Sequence, residues 1–489
     1  MRLRVTVILL AASGFILPAL SQESSLGKIV EDFSTSAMLA PSGWSVCARF
    51  VDADSTIIAF NSHKNLAPAS CLKLVTTAAG LVVLGEGYRF QTTLFAIGKT
   101  DPQHTLHGDL CVVGGGDPTL GSDLTPGSAD LDTLLATWVQ AVKQAGIRSI
   151  TGSVVADDFA FDRIPIPDDW FWIDIGNYYA TSTSALTIHD NLYRLFFRPG
   201  RKVGDPAPVL RMEPRIPELQ FVNFMKTGAK GSGDNGYIYC APDQWKAVLR
   251  GTVPAGNDEF DIKGSIPDPP LFAAQALTGA LRRARVHVAH AGSKLRSPRP
   301  YETATRVFSS ESPPLIDIIG VINKRSFNLY AEQLLKAIGR AGKGDGSTNA
   351  GIEVVEHVLD SLGVDHRDMQ LADGCGLSRT NGISTWTLVC LLRAMRSTPH
   401  FDSYYHSLSL AGDSTDPGFF KKFGVGTELQ GNARIKSGTI QGVRSYAGYV
   451  RDRAGRLIAF ALIANNYSGR ASDVDAIHRD IILRLARLP

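Results

Sequence analysis

At 489 residues the chain is longer than one hydrophobic core can serve, so two or more structural units are expected. Lys and Arg number 50 against 47 Asp and Glu in an ordinary globular composition, and no basic stretch is interleaved with aromatics, which argues against nucleic acid as a partner. The cysteines Cys47, Cys71, Cys111, Cys240, Cys375 and Cys390 contain no Cys-x-x-Cys pair, against a zinc or thioredoxin-type centre; a disulfide and buried free thiols both remain open.

In chain order, Arg2 and Arg4 precede an apolar run from Val5 to Leu17, and Ala19 and Ser21 place small residues before Gln22. This pattern predicts a secretory leader over residues 1–21, because the run is shorter than the roughly 20 residues that span a bilayer. No cysteine lies near the cut and no later segment is long and apolar enough to span, so the mature chain is expected to be soluble and periplasmic or otherwise extracytoplasmic, without a transmembrane anchor. Trp44–Val51 and Thr56–Phe60 flank a turn-like Asp52–Ser55 and read as a hairpin. Helices are predicted over Ser70–Leu84, Asn328–Ile338, Ile352–Leu362 and Thr385–Met395, the last with Ser384 as N-cap. A polar loop covers Gly342–Asn349. Ala433–Lys436, Ser445–Val450 and Leu457–Ala464 are strand candidates, and Val474–Leu488 has helical spacing. The two chain ends are expected to share one antiparallel sheet, with the helices packed on it. From about Tyr88 to Tyr301 the texture changes: Gly114–Pro118 and the Pro267–Pro270 cluster punctuate short strand-like runs, which reads as a separate β-rich insertion.

Three polar clusters in fixed order carry the chemistry. Ser70 and Lys73 stand three apart at the start of an otherwise apolar helix, where a neutral amine can take the proton of a serine nucleophile and a Lys without a role would be costly. Ser326 and Asn328 precede a buried helix; a hydroxyl and an amide there can relay a proton, although helix capping by Ser326 is the plainer alternative. Lys436, Ser437, Gly438 and Thr439 end a strand at which a cation and hydroxyls can bind a carboxylate, the glycine admitting a ligand close to the backbone; a hairpin start with a solvated Lys is the alternative.

Together the clusters resemble the signature of the penicillin-recognising serine acyltransferases. Pro68–Ala79, Gly114–Leu120 and Asp373–Arg379 resemble more narrowly the low-molecular-mass class C penicillin-binding proteins, the D-alanyl-D-alanine carboxypeptidases and endopeptidases of the DacB or S13 type, over nearly all of the mature chain. The resemblance implies an α+β fold: a β-lactamase/transpeptidase-like domain, with helices on a five-stranded antiparallel sheet, built from residues 22–87 and 302–489 and interrupted by one or two small β-rich domains over 88–301. It implies that Ser70 attacks the peptide bond between terminal D-alanines of peptidoglycan stem peptides, with Lys73 as base and Ser326 as proton relay. Asn328 would orient Lys73 and the substrate amide; Lys436, Ser437 and Thr439 would hold the carboxylate beside Gly438. The backbone N–H groups of Ser70 and Thr439 would form the oxyanion hole, and Asp157 would receive the amino group of the stem's diamino acid. No cofactor or metal is implied, and β-lactam antibiotics would bind covalently. Two departures stand out: Ser437 where relatives often have Thr, and Cys375 where they commonly have Ser. A serine β-lactamase and a non-catalytic protein of the same fold are the competing readings; no Glu-x-x-Leu-Asn element lies between the first two clusters to support the former.

Overall fold

The computed structural model describes residues 17–489, so the predicted leader over 1–21 lies largely outside the described residues. No described helix is long and apolar enough to cross a membrane.

Both chain ends do build one sheet. Its six strands run, in spatial order, Ser409–Leu410, Arg434–Ile440, Val443–Arg451, Leu457–Asn465, Gly43–Phe50 and Thr56–Phe60, each antiparallel to its neighbours. Five are long, and the sixth is a two-residue edge strand. The first and last segments meet at its centre, where Trp44 faces Ala464 and Cys47 faces Ala461. Leu457–Asn465 is buried along its whole length. Such a strand reads as a continuous apolar run because both faces of the sheet are covered. One face packs against Lys73–Leu84, Leu315–Lys324, Asn328–Lys343 and Thr385–Met395; the other packs against the final helix, Ala471–Ala486.

Local chemistry explains where the helices begin and end. Ser384 Oγ accepts the Thr387 N–H at 3.0 Å, the expected N-cap. Asn328–Lys343 runs past Ile338 and stops at Gly344, whose φ of 72° suits only a residue without a side-chain penalty. Thr348–Ser361 begins before Ile352 because Ser347 Oγ caps the Ala350 N–H at 3.1 Å, which shortens the polar loop. Arg434–Ile440 extends the strand expected to stop at Lys436, placing the third cluster inside the strand rather than at its end.

Between Lys73–Leu84 and Leu315–Lys324, itself a helix that the sequence did not suggest, the described chain holds three further sheets, of seven, four and three strands, and two more such helices, Leu131–Gln144 and Pro269–Arg283. The Pro267–Pro270 cluster opens the second of these instead of interrupting strands. Asp268 Oδ1 caps the Leu271 N–H at 3.1 Å, and a proline at the first helical positions has no N–H to leave unpaired. Thr305–Glu311 pairs with Gln91–Thr100, so the seven-stranded sheet draws on chain beyond residue 301. All six cysteines are free and five are buried, the second of the two alternatives. Burial pushes the Cys47 thiol up to about 12.

Candidate active site

Ser70 and Lys73 do not share one helix. Ala69–Leu72 form a single 3₁₀ turn and Lys73 opens the α-helix. Ala69 has φ 45°, a left-handed conformation costly for a residue with a side chain and held only where surrounding structure imposes it. Two glycines let that structure close in. A Cβ on Gly376 would lie 1.9 Å from the Ala69 carbonyl oxygen. One on Gly438 would lie 2.2 Å from Ser445 Oγ, 2.5 Å from the Pro68 oxygen and 2.9 Å from the Ser70 nitrogen. The approach that Gly438 permits is therefore that of the nucleophile turn, not of a ligand. Gly438→Ala is expected to cost about 2 kcal/mol of stability and to slow acyl transfer about 100-fold by displacing Ser70; denaturant midpoints and kcat/KM measure the two effects.

The five residues predicted to react are brought together from three segments. Lys73 Nζ lies 2.8 Å from Ser70 Oγ, 2.6 Å from Asn328 Oδ1 and 2.6 Å from the Cys375 carbonyl oxygen. The orientation of Asn328 is set by its own donor, since Nδ2 bonds the Tyr179 carbonyl at 2.7 Å. Asn328 Oδ1 and Cys375 O can only accept, so two amine hydrogens go to them. The remaining partner, the Ser70 hydroxyl, can itself donate. A neutral amine fits this set with its lone pair toward Ser70. Lys73 is fully buried, and that desolvation lowers its pKa; the carboxyl groups of Asp373 and Glu332 oppose the shift.

Lys436 Nζ bonds Ser326 Oγ at 2.8 Å and the Ser437 carbonyl at 2.7 Å. It too is fully buried, and desolvation first, then the Lys73 charge, push it down to about 7. Ser326 does not cap the following helix: the N-cap position is Phe327, without a side-chain bond, and Ser326 sits at φ 57° with its hydroxyl on Lys436.

Behind the amine, Glu332 Oε1 accepts the Gly374 N–H at 2.9 Å, and Asp373 accepts from Trp170 Nε1, the Gly376 and Ser378 N–H groups and Asn381 Nδ2. These bonds hold the turn that aims the Cys375 carbonyl at Lys73. The Cys375 side chain points elsewhere, its sulfur 3.8 Å from Asp373 Oδ2, so the exchange of Ser for Cys leaves the group that Lys73 uses intact. Burial raises the Glu332 carboxyl to about 8.

Ser70, Ser326, Asn328, Ser437 and Thr439 line a cleft of about 670 Å³. Asp157 does not reach it. That carboxylate is buried at the end of an inserted strand, accepts from the Tyr301 hydroxyl and the Phe159 N–H, and lines a different cavity. The carboxylate that lines the cleft is Asp174, 3.0 Å from the Tyr179 hydroxyl, with its pKa raised by partial burial. Sequence reasoning missed Asp174, Tyr179 and Glu332. Only Glu332 left a signal, an acid four residues after Asn328 on the buried face of its helix.

The profile of the D-Ala-D-Ala carboxypeptidase 3 (S13) family matches residues 26–488. The D-alanyl-D-alanine carboxypeptidase of Actinomadura sp. (strain R39) is 33% identical over 433 residues, covering 86% of this chain and 77% of its own length. The crystal structure of penicillin binding protein 4 (dacB) from Haemophilus influenzae superposes with a TM-score of 0.81 at 22% identity, over 94% of this chain and 99% of that one. The same protein complexed with a β-lactam gives a TM-score of 0.75 at 21% identity over the same shares.

Proposed function

The chain belongs to the D-Ala-D-Ala carboxypeptidase 3 (S13) family and is a D-alanyl-D-alanine carboxypeptidase, and from that premise we propose that it trims peptidoglycan stem peptides through an acyl-enzyme on Ser70. The observation that carries the mechanism is the bonding of Lys73, two of whose three partners are pure acceptors, so that the neutral amine turns its lone pair to the Ser70 hydroxyl. As Ser70 Oγ bonds the carbonyl carbon between the terminal D-alanines, its proton passes to Lys73. The backbone N–H groups of Ser70 and Thr439 hold the oxyanion. When the C–N bond breaks, Lys73 passes that proton through Ser326 to the departing D-alanine amine and is neutral again; water, deprotonated by Lys73, then cleaves the ester, and Lys73 returns the proton to the Ser70 oxygen.

Two buried amines so close together do not both keep a proton readily. The substrate's terminal carboxylate, bound by Ser437 and Thr439 beside Lys436, favours the ammonium form of Lys436 and so leaves Lys73 neutral. Substrate binding thereby prepares the base. A β-lactam would acylate Ser70 in the same way, but its opened ring has no leaving group to depart, and the ester would persist.

Asp174 takes the part that the sequence had suggested for Asp157, receiving the ammonium of the stem's diamino acid. Asp174→Asn is expected to raise KM about tenfold for a stem peptide with a free side-chain amine and to leave an N-acetylated one unchanged, with Asp157→Asn neutral for both. Residues 22–87 and the C-terminal segment then act as one catalytic unit. Its second junction follows Glu311, because Thr305–Glu311 pairs into the inserted sheet. Export rests on the N-terminal leader pattern. The reading is tested by mass analysis of pentapeptide and cross-linked muropeptides after digestion. Loss of one alanine supports it, cleaved cross-links add endopeptidase action, and rapid penicillin hydrolysis with intact peptides would replace it with a β-lactamase.

A further inference from the structure

The cavity that holds Asp157 has a volume of about 700 Å³ and shares no lining residue with the cleft. It lies where the inserted sheet meets the C-terminal half of the helix that starts at Asn328. Arg89, Arg299 and Arg340 line it, and among the described residues none of the three has a carboxylate within ion-pairing distance. Arg89 Nη1 is anchored on the Ser312 carbonyl at 2.7 Å. The only carboxylate in the lining is Asp157, and its oxygens are taken by Tyr301 and Phe159. A single exposed arginine needs no partner, but three around one cavity repel one another, and an anion bound among them relieves that repulsion. Guanidinium forks match carboxylate geometry with two parallel bonds, while the flanking rings of Tyr88 and Phe159 offer flat apolar faces.

We infer that this cavity is a second substrate-binding site, which takes a carboxylate-bearing part of the peptidoglycan strand other than the terminal dipeptide being cut. The inference rests on the peptidoglycan reading above. From Asn328 to Arg340 the shared helix rises roughly 18 Å at about 1.5 Å per residue. A short peptide seated at Ser70 therefore leaves the cavity free, whereas a polymer presenting many stem peptides fills both.

The test compares the full chain with its Arg299→Ala/Arg340→Ala double variant on a short D-alanyl-D-alanine peptide and on purified cell-wall sacculi stripped of phosphodiester polymers with hydrofluoric acid. The expected result is an unchanged kcat/KM on the peptide and a KM about tenfold higher on sacculi at unchanged kcat. Equal KM values on stripped sacculi would overturn the inference, as would a defect seen only on unstripped walls, which would make phosphate the ligand. An equal loss on both substrates would overturn it too, since that marks a disturbed fold. Failure of the unsubstituted chain to release D-alanine from the short peptide would instead sink the underlying peptidase reading.

Discussion

Replacing Ser70 by Ala is expected to abolish covalent labelling by a fluorescent penicillin and to lower D-alanine release at least about 10⁴-fold, with little change in stability. The size follows from what is removed. Among the described residues Ser70 Oγ is the only hydroxyl within 2.8 Å of the buried amine, and without it Lys73 has no nucleophile to activate. Stability should hold because, among the described residues, the Ser70 side chain has no bond other than the one to Lys73, and its turn is clamped by backbone contacts with Gly376 and Gly438. Labelling is read on a denaturing gel, where only a covalent adduct survives. Labelling of the Ser70→Ala variant would place the nucleophile elsewhere, and an unlabelled parent chain would favour the non-catalytic reading. The lifetime of the adduct separates the remaining pair, since a peptidase holds penicilloyl ester long after a β-lactamase has hydrolysed it.

Lys73→Met should slow acylation about 10³–10⁴-fold, the worth of a positioned base, and it should also change the shape of the pH profile. In the parent chain the active form needs Lys73 neutral and Lys436 charged. Desolvation depresses the Lys73 pKa below the ordinary lysine value of about 10.4, so the base form accumulates as pH rises and the rate climbs on the acid side. Lys436, pushed down to about 7, loses its charge as pH rises through that value, and with it the attraction for the substrate carboxylate, so kcat/KM falls on the alkaline side. A bell is expected for the free enzyme, and kcat should stay high to a higher pH because bound carboxylate stabilises the Lys436 ammonium. In the Lys73→Met variant the acid limb should vanish while the alkaline limb remains. Stopped-flow acylation by a chromogenic β-lactam between about pH 5 and 10 resolves both limbs; an unchanged acid limb in the variant would assign the base to another group.

The two chain ends were legible as one sheet because strands such as Leu457–Asn465 carry their burial in a local pattern, a continuous apolar run between polar turns. The helix Pro269–Arg283 was not, since it opens on the proline cluster that reads as a break, whereas Leu131–Gln144 does carry helical spacing in Leu134, Leu135, Trp138, Val139 and Val142 behind an Asp130 cap, a local signal submerged in the strand-like texture around it. The candidate residues that the fold gathers around Lys73 and Lys436 were legible for a similar reason: each cluster spans at most four positions, and its members are set side by side by one turn or one strand. Asp174, Tyr179 and Cys375 lie in other segments, and nothing near them in sequence shows that the Cys375 carbonyl bonds Lys73, that the Tyr179 carbonyl bonds Asn328 or that Asp174 lines the cleft.

By itself, then, the sequence determined which functional groups are available, a serine, two lysines, a second hydroxyl and an amide, because side-chain chemistry is written in residue identity. The tertiary structure alone decided how they are used. The lowered pKa values of Lys73 and Lys436 depend on desolvation by distant segments, and the presence of Asp174 rather than Asp157 in the cleft depends on how those segments are arranged. Those are sums over spatial neighbours, which no local stretch of chain encodes.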